Sequence, residues 1–363
     1  MTAARAERTS SSDVVRPFES RVVRQEWADR AVAPMVDARG LTEHAGREEV
    51  PEDEAYRACP RAYYVYRIRD TNGDHVGVVA DVRLDAFASG DVRGHESVDP
   101  QRVHALVQYY ADRPARAEPV ALLHDQPAGA ARRVAEVMCG TPLLQLVAAD
   151  GVEHTVWQVT GDETDTLAEA LAHGVHYVAD GHHRVAARLR AWELAGRPAD
   201  AGVLCVVFPM DGLTLSAFHR RVWGPVDAAG LLGAASGDFD VRPRAAGTAV
   251  EGIGLYVEGC WYDLALTGSR PAASAGLDAF VLQDRLLGPV LDVSGQGHPR
   301  LESIPDHLPL EHATARCDED GGALFVLQPP SLHALTRIAD LGEVMPPKTT
   351  YFAPKPYAGI FLT

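Results

Sequence analysis

The segment that most constrains the fold of this 363-residue chain is an apolar strand joined to a helix by one glycine. It reads VHYVAD, then Gly181, then HHRVAARLRAWELAG. The first amides of a helix lack intrahelical acceptors, and the helix dipole makes that end positive. Glycine also permits close approach of a ligand to the backbone. The segment therefore predicts an anion site of the kind that cradles phosphate.

Four side chains around this glycine carry the predicted chemistry. Arg184 can hold phosphate oxygens with two parallel hydrogen bonds, and His182 and His183 add donors whose charge changes near neutral pH. Asp180 has two open roles, because its oxygens suit Mg²⁺ but can equally cap the helix. A plain helix start with solvated histidines and a histidine metal site are the alternatives, although adjacent helical histidines point in different directions.

The remaining pattern predicts an α+β (mixed α/β) fold. Asn72 and Gly73 separate two apolar runs and indicate a hairpin, while Asp99 is placed to cap a helix over residues 99–112. We expect a flexible tail over 1–15, a larger domain over 16–225 that contains the strand–glycine–helix segment, and a smaller α+β domain over 226–345. Within the second domain, residues 293–322 look loop-rich. The last segment, 346–363, is expected to return to the site.

Charge and hydropathy narrow the range of partners. Lys plus Arg is 34 and Asp plus Glu is 50, so the net charge is 34 − 50 = −16, and the chain has no basic run. Nucleic-acid binders need a basic surface, so this class is not expected. No stretch approaches the roughly 20 apolar residues of a membrane span, and the first residues do not form a secretory signal. We therefore expect a cytoplasmic protein with a small phosphorylated ligand and no membrane partner.

Lysine usage singles out one further segment. The chain contains two lysines, Lys348 and Lys355, against 32 arginines, and both lysines lie in MPPKTTYFAPKPY. An ammonium is a compact charge that arginine does not replace. This clustering indicates that the segment needs an ammonium group.

Taken together, these motifs resemble the Domain of Unknown Function 1015 family, which is related to the ParB/sulfiredoxin-like fold and to the free-serine kinases. The matching elements occur in the family's order over nearly the whole chain: Arg16-Pro17-Phe18, Pro34-Met35-Val36-Asp37, Gly94-His95-Glu96-Ser97, Asp180-Gly181-His182-His183-Arg184, His219-Arg220 and Pro346 to Lys355. The resemblance implies a nucleotide-binding core and an upstream catalytic glutamate.

By this resemblance the protein is a kinase that moves a phosphoryl group from ATP or ADP, with Mg²⁺, to the hydroxyl of a small metabolite such as a serine-like amino acid. Catalysis is assigned to Glu96 as the general base, with Asp180 and His183 beside it. The remaining assignments are as follows: nucleotide binding to Gly181, His182, His183, Arg184, His95, Lys348 and Lys355; substrate binding to His219 and Arg220; metal binding to Asp180.

The chain departs from the family pattern at Val36, Gly94, Val185 and Ala186, which leaves the acceptor open. A rival interpretation is a regulatory or DNA-partition module that binds CTP or ATP as a switch, although the net charge opposes it. A nucleotide hydrolase and a non-catalytic nucleotide binder are further alternatives. The sequence does not predict the oligomeric state.

Overall fold

A computed structural model describes residues 14–34, 50–111, 117–161, 163–268 and 277–363. The described strands are β1 (Val15–Arg16), β2 (Phe18–Val23), β3 (Tyr56–Asp70), β4 (Gly73–Arg83), β5 (Val92–Arg93), β6 (Val120–His124), β7 (Leu144–Val147), β8 (Glu153–Val159), β9 (His176–Asp180), β10 (Gly202–Pro209), β11 (Thr214–Ser216), β12 (Phe218–Val222), β13 (Phe239–Arg244), β14 (Ile253–Val257), β15 (Cys260–Leu266), β16 (Leu301–Pro305), β17 (Ala323–Val326), β18 (Tyr351–Ala353) and β19 (Phe361–Leu362).

The described α-helices connect these strands, and a π-helical turn over Gln283–Leu287 continues the ninth helix. They are α1 (Ala28–Ala31), α2 (Glu52–Ala55), α3 (Leu84–Ser89), α4 (Pro100–Ala111), α5 (Ala128–Met138), α6 (Glu163–Ala172), α7 (His182–Leu194), α8 (Ala228–Ala235), α9 (Asp278–Leu282), α10 (Leu310–Asp320) and α11 (Leu332–Asp340). The α+β fold that the sequence predicts is confirmed.

The chain divides into two units. The first contains the described residues up to Gly94, together with Val98–Thr214 and Pro354–Thr363. The second contains His95–Ser97 and Leu215–Ala353. The division after Thr214 comes earlier than the composition shift near residue 225 predicts. It also splits the final segment, since Ala353 belongs to the second unit and Pro354 to the first.

A mixed sheet forms the framework of the first unit. Its main strand order is β19-β2-β3-β4-β10-β6-β9-β5, with β8 also pairing with β3, β7 with β8 and β1 with β4. The pairs β10–β6 and β9–β5 are parallel, and the other named pairs are antiparallel. Because β9 is paired on both sides, with β6 and with β5, the position of its last residue, Asp180, is fixed by the sheet.

The hairpin between β3 and β4 forms where the sequence predicts it. The Asp70 carboxylate accepts hydrogen bonds from the backbone amides of Asn72 and Gly73, at 2.7 and 3.2 Å, and Gly73 adopts φ +130°. This side-chain-capped turn lets the two long strands pair in register. Their buried faces join a core that includes Tyr63, Val78 and residues of β6 and β10.

The second unit has its own sheet and core. Its strands follow the order β13-β15-β14-β17-β12-β16, and every neighbouring pair is antiparallel. Helices α8 and α9 pack with the sheet through a core that includes Leu231, Leu255, Leu286 and Phe325. Strand β12 lies between β17 and β16, which places its side chains among the most buried of this unit.

Two expectations about local structure need correction. Residues 293–322 are not loop-rich, because they contain β16 and α10. The apolar pattern of these elements is weak in the sequence, because Ile304 is the one buried residue of β16 and α10 buries small side chains such as Ala313 and Cys317. The expected tail over 1–15 ends earlier, since Val15 is buried and pairs with Val82; residues 1–13 lie outside the described part.

Among the described residues, no helix has both the length and the apolar character needed to cross a lipid bilayer.

A buried pair of histidines makes the first unit sensitive to acid. The His124 and His176 rings stack at 4.2 Å between centroids, and the ring nitrogens of His176 have no hydrogen-bond partner among the described residues. Burial, followed by repulsion from His124, lowers the pKa of His176 to about 3. The unfolded chain titrates near 6.5, so His176 protonation destabilises the fold as pH falls from about 6.5 towards 3.

We therefore expect His176→Phe to flatten the pH dependence of unfolding. The wild type should lose about 1.4 kcal/mol more per pH unit than the variant between roughly pH 6 and 4, because it takes up one more proton on unfolding. Urea unfolding at each pH measures this difference. His104→Gln, at an exposed position of α4, is the control that should keep the wild-type slope. Equal slopes in His176→Phe and wild type would contradict the prediction.

Candidate functional site

The junction between β9 and α7 has the geometry of an anion site. Gly181 adopts φ 109° and ψ 20° at the start of α7, a left-handed conformation that favours glycine. Its carbonyl accepts the first helical hydrogen bond, from Val185, at 2.9 Å. Glycine brings no side chain to cap the first amides of this 13-residue helix. The helix therefore presents its positive end where a phosphate oxygen can accept hydrogen bonds.

Asp180 binds two cations next to this helix end. One carboxylate oxygen, Oδ1, accepts from the Lys355 ammonium at 2.5 Å, and Oδ2 accepts from the Arg184 guanidinium. Burial raises the pKa of the Asp180 carboxyl, but Lys355 and Arg184 outweigh burial and hold this pKa far below its usual range. Two cations around one carboxylate leave a net positive charge beside the helix dipole, which favours an anion.

Arg184 has a different place from the one the sequence predicts. Its side chain is buried, and its second terminal nitrogen donates to the backbone carbonyl of Pro119. The guanidinium also lies against Gly181, since a Cβ there would meet its Nη2 at 3.0 Å. The guanidinium therefore binds two protein oxygens, and one of these bonds holds the Asp180 carboxylate in place. In this arrangement both terminal nitrogens of Arg184 donate to protein oxygens beside the predicted anion site, and a direct contact with phosphate stays a prediction.

The two histidines of the segment also have separate surroundings. His183 Nε2 accepts a hydrogen bond from the Asp99 amide at 3.0 Å, and Asp99 in turn accepts from the amide of Gln101 at the start of α4. With Nε2 engaged as an acceptor, His183 orders that helix start, and its catalytic role stays a prediction. Burial lowers the pKa of His182 to about 4 against the pull of Asp180, so His182 is neutral at pH 7.

Asp180 does not fit the predicted role of a magnesium ligand. Mg²⁺ takes oxygen ligands in near-octahedral geometry, yet both carboxylate oxygens of Asp180 already accept from cations. In the part of the chain that the structure describes, no group of three or more His, Cys, Asp or Glu side chains is placed to hold a metal. We therefore assign no step to a metal bound at Asp180.

In the second unit, Glu96 is held through its backbone. It forms a parallel β-bridge with Met345, in which Met345 N–H donates to His95 O at 2.7 Å and Ser97 N–H donates to Met345 O at 3.1 Å. His95 is fully buried, with Nε2 3.0 Å from the Thr350 hydroxyl. Two residues of the C-terminal motif thus fix the chain on both sides of Glu96. His95 has a supporting role here and is not exposed to a nucleotide.

The two predicted substrate ligands on β12 are buried and bonded to protein groups. His219 Nε2 lies 3.0 Å from Asp306 Oδ1, and its Nδ1 accepts the Leu327 amide at 3.2 Å, which fixes the ring tautomer. Arg220 donates to backbone carbonyls, including Lys348 O at 2.9 Å. Both side chains are at least 96% buried, so neither is presented to a substrate in this arrangement.

The two lysines belong to different units. The Lys348 ammonium lies over the Phe218 ring, 5.0 Å from its centroid, in a cation–π contact within the second unit. The Lys355 ammonium is bonded to Asp180 in the first unit, and its side chain keeps about 30% exposure. Lys355 is therefore a lysine that the structure brings to the predicted anion site, within the first unit.

Sequence reasoning missed the residues that place Lys355. Two positions further on, the Tyr357 amide donates to the Tyr66 hydroxyl at 3.3 Å, and Tyr66 lies 2.7 Å from His154 Nδ1. The Tyr357 hydroxyl donates to Asp150. The sequence feature that could have indicated these contacts is the tyrosine near the end of the chain, because a buried hydroxyl normally needs a hydrogen-bond partner.

The family element expected at Pro34 to Asp37 falls largely outside the described residues.

The fold and these contacts define an α+β protein whose first unit carries a positively charged helix end. The chain belongs to the family described as "Protein of unknown function (DUF1015)", whose model matches residues 53–293. This confirms the family resemblance, while the ParB/sulfiredoxin-like label stays a prediction. No curated protein matches the chain.

Several solved structures are similar to this chain, and three of them are as follows. A free serine kinase variant in complex with ADP shares 14% identity with a TM-score of 0.41, covering 76% of this chain and 87% of that one. A free serine kinase in complex with AMP shares 14% identity with a TM-score of 0.40, over the same shares of both chains. C-terminally truncated SbnI from Staphylococcus aureus shares 14% identity with a TM-score of 0.44, covering 77% of this chain and 84% of that one.

The geometry of Gly181 leads to a stability prediction with a matched control. Gly90 has nearly the same backbone, φ 87° and ψ 14°, but a Cβ there meets no described atom within 4 Å. Gly90→Ala should cost about 1–2 kcal/mol for left-handed backbone alone. Gly181→Ala should lower the free energy of unfolding by about 1–3 kcal/mol more than Gly90→Ala does, because the Arg184 guanidinium is held by hydrogen bonds and cannot easily move away from the new methyl group. Urea unfolding at pH 7 measures both, and equal costs would contradict the prediction.

Proposed function

We propose that this protein is a nucleotide-dependent small-molecule kinase that transfers a phosphoryl group from ATP or ADP to the hydroxyl of a small metabolite. The observation that carries the proposal is the Lys355 ammonium, held by Asp180 beside the glycine-opened start of α7. A helix N-terminus with an adjacent ammonium is a site for phosphate, since amide donors and positive charge act together. The family motifs favour a serine-like amino acid as the acceptor.

Each residue then has a distinct task. Lys355 and the first amides of α7 hold the donor phosphates, while Arg184 and Asp180 keep that end of the helix and the ammonium in place. Glu96 accepts the proton of the acceptor hydroxyl. As that proton leaves, the hydroxyl oxygen bonds to the terminal phosphorus of the donor, and the bond from this phosphorus to the leaving nucleoside phosphate breaks. ATP would leave as ADP, and ADP as AMP.

The choice between transfer and the rival functions depends on charge and on product. The net charge of −16 opposes a DNA-partition role, because duplex binding draws its affinity from phosphate neutralisation. A hydrolase would release inorganic phosphate whether or not an acceptor is present. Phosphorus NMR distinguishes these products directly, with the donor nucleotide, Mg²⁺ and a panel of hydroxy amino acids in the sample.

We expect Glu96→Gln to lower the transfer rate about 10²- to 10⁴-fold, because the amide cannot accept the hydroxyl proton. Nucleotide affinity should stay within about twofold of wild type by calorimetry, since Glu96 is not assigned to the phosphates. Glu153→Gln, on β8 of the first unit, is a control that removes a carboxylate outside the proposed machinery. A full transfer rate in Glu96→Gln would contradict the assignment of the base.

We expect Lys355→Gln to weaken nucleotide binding by about 10- to 100-fold, the value of one charge-assisted hydrogen bond to phosphate. Arg190→Gln is the matched control, because it removes one positive charge from the exposed face of the same helix. Calorimetric titration with ADP measures both affinities. If Lys355→Gln binds ADP as tightly as Arg190→Gln, the anion site is wrongly placed.

A further inference from the structure

Arg220 is a buried cation whose two terminal nitrogens donate to backbone carbonyls. It lies on β12, is 4% exposed and donates from Nη1 to Phe218 O at 3.1 Å and His219 O at 3.4 Å. From Nη2 it donates to Lys348 O at 2.9 Å and Pro347 O at 3.4 Å. A guanidinium whose terminal nitrogens donate to four neutral carbonyls holds the chain segments that carry those carbonyls together.

The segment that it holds is under conformational strain. Lys348 adopts φ +61°, a left-handed backbone that costs a residue with a side chain roughly 1–2 kcal/mol. The Arg220 bond to its carbonyl and the Thr349 hydroxyl bond to Pro346 O, at 2.7 Å, fix this turn. Such strain persists only where the surroundings over-determine the conformation. Arg220 is therefore part of what keeps the turn over 346–348 in shape.

This turn is directly joined to the backbone that carries Glu96. Met345 precedes the turn and bonds to both neighbours of Glu96, and Thr350 follows it and bonds to His95. The charges are coupled as well. Burial lowers the pKa of Arg220 to about 10, and the negative charge of Glu96 acts in the opposite direction. Arg220 and Glu96 are thus linked both through the backbone and through space.

We propose that Arg220 is a positioning residue for Glu96: it locks the 346–348 turn that clamps the Glu96 backbone. The proposal rests on the proposed function, in which Glu96 is the base. It replaces the expectation that Arg220 binds substrate. A base displaced by about 1 Å can lose about 10²-fold in rate, so such a clamp matters to the chemistry.

The chain supplies a matched control in the next residue. Arg221 is on the same strand and equally buried, but it bonds to Asp320 and to Arg316 O. Because side chains alternate along a strand, Arg221 points to the other face of the sheet. Arg221→Gln should therefore share the folding cost of losing a buried guanidinium, without any effect through Glu96.

The kinetic test compares Arg220→Gln, Arg220→Lys and Arg221→Gln in the transfer assay. Arg220→Gln should lower kcat about 10- to 100-fold while KM for the nucleotide stays within about twofold. Arg220→Lys keeps the charge without the fork and should recover part of kcat. In a Glu96→Gln background, Arg220→Gln should lower the rate no further, because both changes disable one group. Additive losses in the double variant, or an equal loss of kcat in Arg221→Gln, would overturn the proposal.

A second measurement does not depend on activity. Hydrogen exchange at the Met345 and Ser97 amides reports the clamp itself. These amides should exchange at least about tenfold faster in Arg220→Gln than in wild type and Arg221→Gln. Unchanged exchange would overturn the proposal even if the protein is a kinase. If the wild type transfers no phosphate, the proposed function fails, and faster exchange would still support the role of Arg220 in holding the clamp.

Discussion

The Asp180 carboxylate holds together two cations that would otherwise repel each other and the positive end of α7. Arg184 reaches it from within the helix, and Lys355 reaches it from the end of the chain. A partly buried carboxylate between these two cations remains ionised, because protonation would leave both cations without a counter-charge. The local charge sum stays positive, and the positive helix end next to it makes the place suitable for a phosphate. The proposed anion site therefore depends on the three ions Asp180, Arg184 and Lys355 together more than on any one of them.

The C-terminal motif contributes to each unit separately. In the second unit, Met345 and Thr350 hold the backbone around Glu96. In the first unit, Lys355 binds Asp180, and Tyr357 anchors the same stretch through Tyr66. A motif that is remote in sequence thus fixes the two groups to which the proposed chemistry is assigned. Of the two lysines in this segment, Lys355 thus has a role for its ammonium in the first unit.

The parts of the molecule that were predictable from sequence are those with local causes. The glycine between β9 and α7 and the Asn72-Gly73 hairpin follow from backbone preferences that a few neighbouring residues set. The bonds from Arg184 to Pro119 O and from Arg220 to Lys348 O were not predictable, because backbone carbonyls leave no signature in the sequence. Strand β16 and helix α10 escaped prediction because they bury few and mostly small apolar side chains. In each of these cases the structure depends on contacts between residues that are distant in sequence, which local patterns do not predict.

The scarcity of lysine has a chemical consequence for anyone who modifies this protein. An amine-directed reagent, or an acetyl group transferred by another enzyme, meets side-chain ammoniums at two positions, Lys348 and Lys355. One stacks on an aromatic ring and the other forms an ion pair, so their nucleophilicities differ. Acylation of Lys355 would remove one of the two cations on Asp180 and weaken the field at the start of α7. Selective acylation of Lys355 would thus reduce the positive charge beside Asp180 and the start of α7, while the arginines would not react.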